Sequence, residues 1–205
     1  MVDEAEDQPF SDQLENWLSS DGPKTIGQLG EVFGERTFAV TILLLMFLPA
    51  LPLPTGGITH VFEAIVVLLG LQMILGFKTM WLPQKLRHRE LGDAMTGKAV
   101  PMIAKRIRWF ERFSKPRGTR IIENAWFARL IGAVLIAFAV AAGFAPPFSG
   151  LDTLPALGAV VTCLGIILGD IVVLAIGVAI GVGGVTLILT VGAAVVKLVK
   201  SAVSG

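Results

Sequence analysis

The chain has 205 residues, 54% hydrophobic and only 16% charged, with a mean hydropathy of +0.74. Soluble domains carry about a quarter charged residues, so this composition excludes an ordinary water-soluble domain and points to a membrane protein. The net charge of +1 conceals a segregation: residues 1–31 hold eight acids against the single base Lys24, while residues 78–129 hold thirteen Lys/Arg against four acids, a local net of +9. Such asymmetry marks a partner surface or a membrane topology.

In chain order, residues 1–33 form an acidic segment. Leu14, Trp17 and Leu18 at helical spacing predict one short amphipathic helix, stopped by Asp21-Gly22-Pro23. Thr25 with Gln28 three residues on predicts a capped second helix burying Ile26, Leu29, Val32 and Phe33. The start, MVDEAEDQPF, has no basic-then-apolar signal pattern, so insertion is expected to rely on the internal apolar segments.

Residues 34–77 make a broken apolar hairpin. An apolar run over 37–50 is about 21 Å of helix, short of the roughly 30 Å hydrocarbon layer. Pro49, Pro52, Pro54, Gly56 and Gly57 then interrupt the helix, because proline lacks an N–H and disfavours helix before it. A second run covers 61–77. The pair either spans the membrane or is a re-entrant hairpin whose non-helical backbone is sheltered by protein.

Residues 78–123 are a basic linker. Trp81-Leu82-Pro83 places an aromatic at an interface. In 98–115, Ile103, Ile107, Phe110 and Phe113 lie at helical spacing, flanked by Lys105, Arg106, Arg108, Trp109 and Arg112. That pattern predicts a helix in the plane of anionic lipid headgroups rather than nucleic-acid binding. The positive-inside rule puts the basic 78–126 loop in the cytoplasm.

Residues 124–170 repeat the hairpin: an apolar run over 127–144, a break at Pro146, Pro147 and Gly150, and a second run over 153–168. An offset of 93 residues sets Pro54 opposite Pro147, Gly57 opposite Gly150, and Gly76 opposite Gly169. Residues 171–205 are a glycine-rich apolar segment that either tilts as one helix or breaks at Gly181–Gly184. Its Gly177-x-x-x-Gly181 spacing suits close helix contact within the chain or in a homodimer. The fold class expected is therefore an all-α integral membrane protein, with two Pro/Gly-broken hairpins as an internal repeat, a glycine-rich C-terminal membrane segment and interfacial amphipathic helices.

Gly34-Glu35-Arg36-Thr37-Phe38, the proline break, Gln72 with Gly76, and Trp81-Leu82-Pro83 resemble the first half of the ExoD family of bacterial membrane proteins. Arg129-Leu130-Ile131-Gly132, Pro147-Phe148, Leu154-Pro155-Ala156 and Gly165 to Asp170 resemble its second half. One departure is Leu168-Gly169-Asp170-Ile171, where the family commonly has Glu-Arg-Asp-Gly; Asp170 is retained. The resemblance implies a role in exopolysaccharide production or in envelope physiology, at the bacterial inner membrane. It implies no molecular activity.

No P-loop, nucleophile elbow, zinc-protease motif or metal-spaced acid pair is present, so no enzyme, metal or cofactor is expected, and the one cysteine, Cys163, reads as core. The polar residues inside apolar segments are the candidates. His60 and Glu63, three apart, share a helix face. Gln72 is nine residues beyond Glu63 and half a turn out of phase, so it faces away. Asp152 reads as an N-cap for a helix starting at Thr153, and Asp170 as an interfacial acid. Two functions follow: a small transporter with a site between the two breaks, expected as a homodimer, or a scaffold for envelope polysaccharide proteins.

Overall fold

A computed structural model gives the fold. It describes residues 9–25, 28, 36–51, 58–81, 83–87, 96–97, 100–112, 114, 117–122, 124–145 and 149–203. All regular elements among these are helices: α1 (Phe10–Ser19), α2 (Thr37–Phe47), α3 (Ile58–Leu75), α4 (Gln84–Arg87), α5 (Val100–Glu111), α6 (Thr119–Ile122), α7 (Ala125–Phe144), α8 (Thr153–Leu168) and α9 (Ile171–Val203).

α2 and α3 are the arms of the first hairpin, and α7 and α8 those of the second. Each arm packs more on the other hairpin than on its own partner: α3 lies along α7, and α2 along α8. Two glycines set the α3–α7 contact. A Cβ on Gly132 would lie 2.9 Å from the Gly70 carbonyl oxygen, and one on Gly70 would lie 3.0 Å from that of Gly132. Small residues let apolar helices approach this closely and gain dispersion contacts. Glu63 meets Gly143, Gly70 meets Gly132 and Gly76 meets Arg129, so the two helices are antiparallel. Both breaks therefore lie at one end of the bundle, and the linker at the other.

α8 and α9 form a tight antiparallel pair. Gly158 faces Gly181, Thr162 faces Gly177, Gly165 faces Leu174, and Pro155 faces Gly184. The Gly177/Gly181 face is thus used inside the chain. Phe138 of α7 also packs on Gly181. The C-terminal apolar segment is one unbroken helix to Val203; Gly177, Gly181 and Gly184 give close packing against α8 rather than a kink.

Gly76 and Gly169 end their helices in the same way, at φ +80° and +65°. Phe77 N–H donates to the Gln72 carbonyl and Gly76 N–H to that of Met73. Asp170 N–H donates to the Gly165 carbonyl and Gly169 N–H to that of Ile166. This left-handed ending satisfies the last orphan carbonyls, and glycine adopts it without a Cβ penalty.

The charge segregation is partly answered within the chain, by α1 packing on α5. Phe10, Leu14 and Trp17 are buried, as are Val100, Ile103, Ala104 and Ile107 on α5. Arg108 donates to Asp12 at 2.9 Å and Glu15 at 2.8 Å. Ser11 donates to Glu111 through both N–H and Oγ, at 3.0 and 2.6 Å. The hydrogen bonds that Arg108 donates to Glu15, then Asp12, hold its guanidinium above its usual pKa. Gln28 N–H donates to Thr25 Oγ1 at 3.4 Å, as the capping pattern predicts. Ile26, Leu29, Val32 and Phe33 lie outside the described residues.

Candidate functional site

The site begins with the way α3 starts. His60 lies in its first turn and Glu63 one turn on, so their side chains neighbour each other as the i,i+3 spacing predicts. His60 Nδ1 is 2.8 Å from Glu63 Oε2. Their exposures differ sharply: the imidazole is 52% exposed and the Glu63 side chain 5%. α7 makes room for the carboxylate at Gly143, where a Cβ would stand 3.0 Å from Oε2. Glu63 Oε1 is buried and has no hydrogen-bond partner among the described residues. An unsatisfied carboxylate oxygen in a low-dielectric interior costs at least about 1–3 kcal/mol.

Asp152, from the second break, lies close enough to repel Glu63 electrostatically. The sequence assigns Asp152 as the N-cap of α8, and α8 does begin at Thr153, but its carboxylate makes no cap bond. The physical reason is conformational. A capping residue needs extended backbone, whereas Asp152 is already helical at φ −66°, ψ −26°. The turn before it begins at Gly150, φ +68°, whose carbonyl accepts from Thr153 N–H.

Gln72 and Asp170 sit at the opposite end, each with a structural task. The Gln72 amide clasps the Trp81 backbone twice, donating to its carbonyl and accepting from its N–H, both at 2.7 Å. Asp170 caps α9: Oδ1 accepts from Val172 N–H at 2.9 Å, and Oδ2 from Ser114 Oγ at 3.2 Å. An Asp directly before an apolar run is a cap signal. The Ser114 tether and the room at Gly143 have no sequence signature, because both depend on distant segments meeting.

Pro49 is buried in the turn after α2. Pro52, Pro54, Gly56, Gly57, Pro146 and Pro147 lie outside the described residues. Of the residues expected at headgroups, Lys105, Arg106 and Arg112 are exposed, Trp81 is 59% and Trp109 54% exposed, and Arg108 is engaged by α1. Among the described residues no three His, Cys, Asp or Glu side chains gather to hold a metal.

Among the described residues, two helices are long and apolar enough to cross a membrane, over Ala125–Phe144 and Ile171–Ala194. Protein ExoD of Rhizobium meliloti is 29% identical over 167 residues, covering 78% of this chain and 68% of that protein. An uncharacterized protein of Synechocystis is 24% identical over 163 residues, covering 77% and 74%. No solved structure matches the chain. The family described as "Exopolysaccharide synthesis, ExoD" matches residues 10–190, and the chain belongs to that family.

Proposed function

We propose that this protein is a small multi-pass transporter of the bacterial inner membrane, acting in exopolysaccharide production, with its solute site where the two breaks meet. The observation that carries this reading is Glu63, a buried acid with one oxygen unpartnered among the described residues, near enough to the second break to feel the charge of Asp152. Ionisable groups inside apolar bundles are costly and typically mark a solute or ion path. Two related hairpins meeting around such groups is a transporter pattern.

Several observations support the membrane setting. Only 33% and 22% of the two long apolar windows are buried within the chain, so lipid is the natural cover for the rest. α8 ends and α9 begins at the Gly169 turn. α8, with 16 residues, reaches about 24 Å, and the apolar part of α9, with 24 residues, about 36 Å. The break thus falls about 12 Å below the end of that apolar run, which favours re-entrant hairpins. The matched helix endings at Gly76 and Gly169, and the reciprocal α2–α8 and α3–α7 packing, favour a parallel internal repeat. The basic linker places its end in the cytoplasm. Two hairpins make a thin wall, which a homodimer would complete.

The test uses the full chain in proteoliposomes offered a labelled extract of cellular metabolites. Wild type should accumulate at least one solute that empty vesicles and Glu63→Gln vesicles do not. Equal retention in all three sinks the reading. A second reading, a scaffold for envelope polysaccharide proteins, draws on the exposed basic face of α5. It expects biosynthetic proteins to be captured by mild crosslinking, with capture lost when Lys105, Arg106 and Arg112 are neutralised.

A further inference from the structure

We infer that the His60–Glu63 pair is a proton relay: a proton enters at the half-exposed imidazole and is held on the buried Glu63 carboxyl. The proton is then the coupling ion of the transport reading on which this inference rests.

Exposure falls steeply along one short contact. His60, 52% exposed, can exchange protons with water, and the buried Glu63, 5% exposed, is in contact with it. The Nδ1–Oε2 distance of 2.8 Å is a hydrogen bond along which a proton transfers without either residue moving. The balance is simple. A doubly protonated imidazole gives the Nδ1 proton to Oε2, leaving a neutral imidazole and a neutral carboxyl. Water at the break then supplies the next proton to the ring.

Among the described residues, no cation other than a protonated His60 is placed to neutralise Glu63. α3 carries no other ionisable residue than His60, and α2 carries none. α7 presents Gly143 to the carboxylate. The second break contributes Asp152, a further negative charge. Oε1 has no donor among the described residues. Protonation removes the charge that these surroundings leave uncompensated. A metal cation fits less well, because hard cations gather about six oxygens and the described residues bring no third ligating acid.

The test is a pH titration of the full chain in lipid nanodiscs, followed by infrared difference spectroscopy of the protonated-carboxyl C=O stretch. The high-frequency band of a buried, weakly hydrogen-bonded carboxyl, distinct from the bands of the exposed acids, should appear on acidification in wild type and Asp152→Asn and be absent in Glu63→Gln. In His60→Gln the band should persist with its midpoint moved by roughly one pH unit, the effect of losing one hydrogen-bonding partner. Unchanged gel-filtration and melting profiles keep these variants comparable. A band that survives Glu63→Gln overturns the relay, as does a sodium-dependent spectral change at constant pH that Glu63→Gln removes. Proteoliposomes separate the two readings. A Glu63 band without solute uptake keeps the proton site and removes the transport reading, whereas uptake that ignores an imposed pH gradient overturns the coupling.

Discussion

At the scale of single residues, the two aspartates after the apolar breaks and turns exchange the roles their sequence positions suggest. Asp152 stands where a cap belongs and makes no cap bond, while Asp170 caps α9 and ties down Ser114. Losing an N-cap aspartate costs about 1 kcal/mol, typically between 0.5 and 2. Asp170→Ala should therefore lower the thermal midpoint of the detergent-solubilised protein by a few degrees. Asp152→Ala should leave it nearly unchanged, since no cap is lost. Equal destabilisation would mean that Asp152 caps α8 after all. His60 and Glu63 were legible as neighbours from their spacing alone, because i,i+3 geometry is local. The isolation of Oε1 was not, since it depends on what α7 and the second break place beside it.

At the scale of elements, glycine positions decide which helices touch. A Cβ on Gly158 would collide with the Gly181 backbone, whereas Gly183 faces open space. Overpacking a tight contact costs typically about 1–3 kcal/mol. Gly158→Ala should destabilise the α8–α9 pair by that amount, and Gly183→Ala should be neutral or slightly stabilising through its helix propensity; thermal melting of the two variants compares them. The α1–α5 contact poses a different question, whether apolar burial or ion pairing holds it. Leu14 is fully buried, and large-to-small core changes cost about 2–5 kcal/mol. The Arg108 pairs are 44–46% exposed, and exposed pairs contribute about 1 kcal/mol or less. Limited proteolysis should release the N-terminal segment readily in Leu14→Ala and only slightly faster in Arg108→Ala. The reverse order would show that charge dominates.

Sequence periodicity marks these elements well. α8 spans Thr153–Leu168 as read from the sequence, and α2, α3 and α7 differ from their apolar runs by two or three residues at an end. Their pairing was not legible: nothing local tells α2 to lie on α8 rather than on α3. The opposite charges of residues 1–31 and 78–129 announced a partner, but not that part of each would be the other's.

At the scale of the whole molecule, the directions of the helices fix a topology that labelling can test. α3 descends antiparallel to α7, α8 antiparallel to α9, and both breaks share one end with the C-terminal part of α9. With Cys163 replaced by alanine, single cysteines at Leu51, Gly150 and Ser201 should react with a membrane-impermeant maleimide from one side. Those at Met80 and Arg117 should react only from the other, with the basic linker cytoplasmic. The rates carry further information. If the hairpins are re-entrant, Leu51 and Gly150 lie below the membrane surface that Ser201 clears, and should label more slowly than Ser201 although from the same side. Equal rates would mean that the breaks reach the far interface, where Glu63 would lie close to bulk water and its ionisation would cost little. Labelling of Leu51 and Gly150 from opposite sides would make the hairpins inverted and separate Glu63 from Asp152. The same five positions therefore test both the depth of the acid pair and its existence as one site.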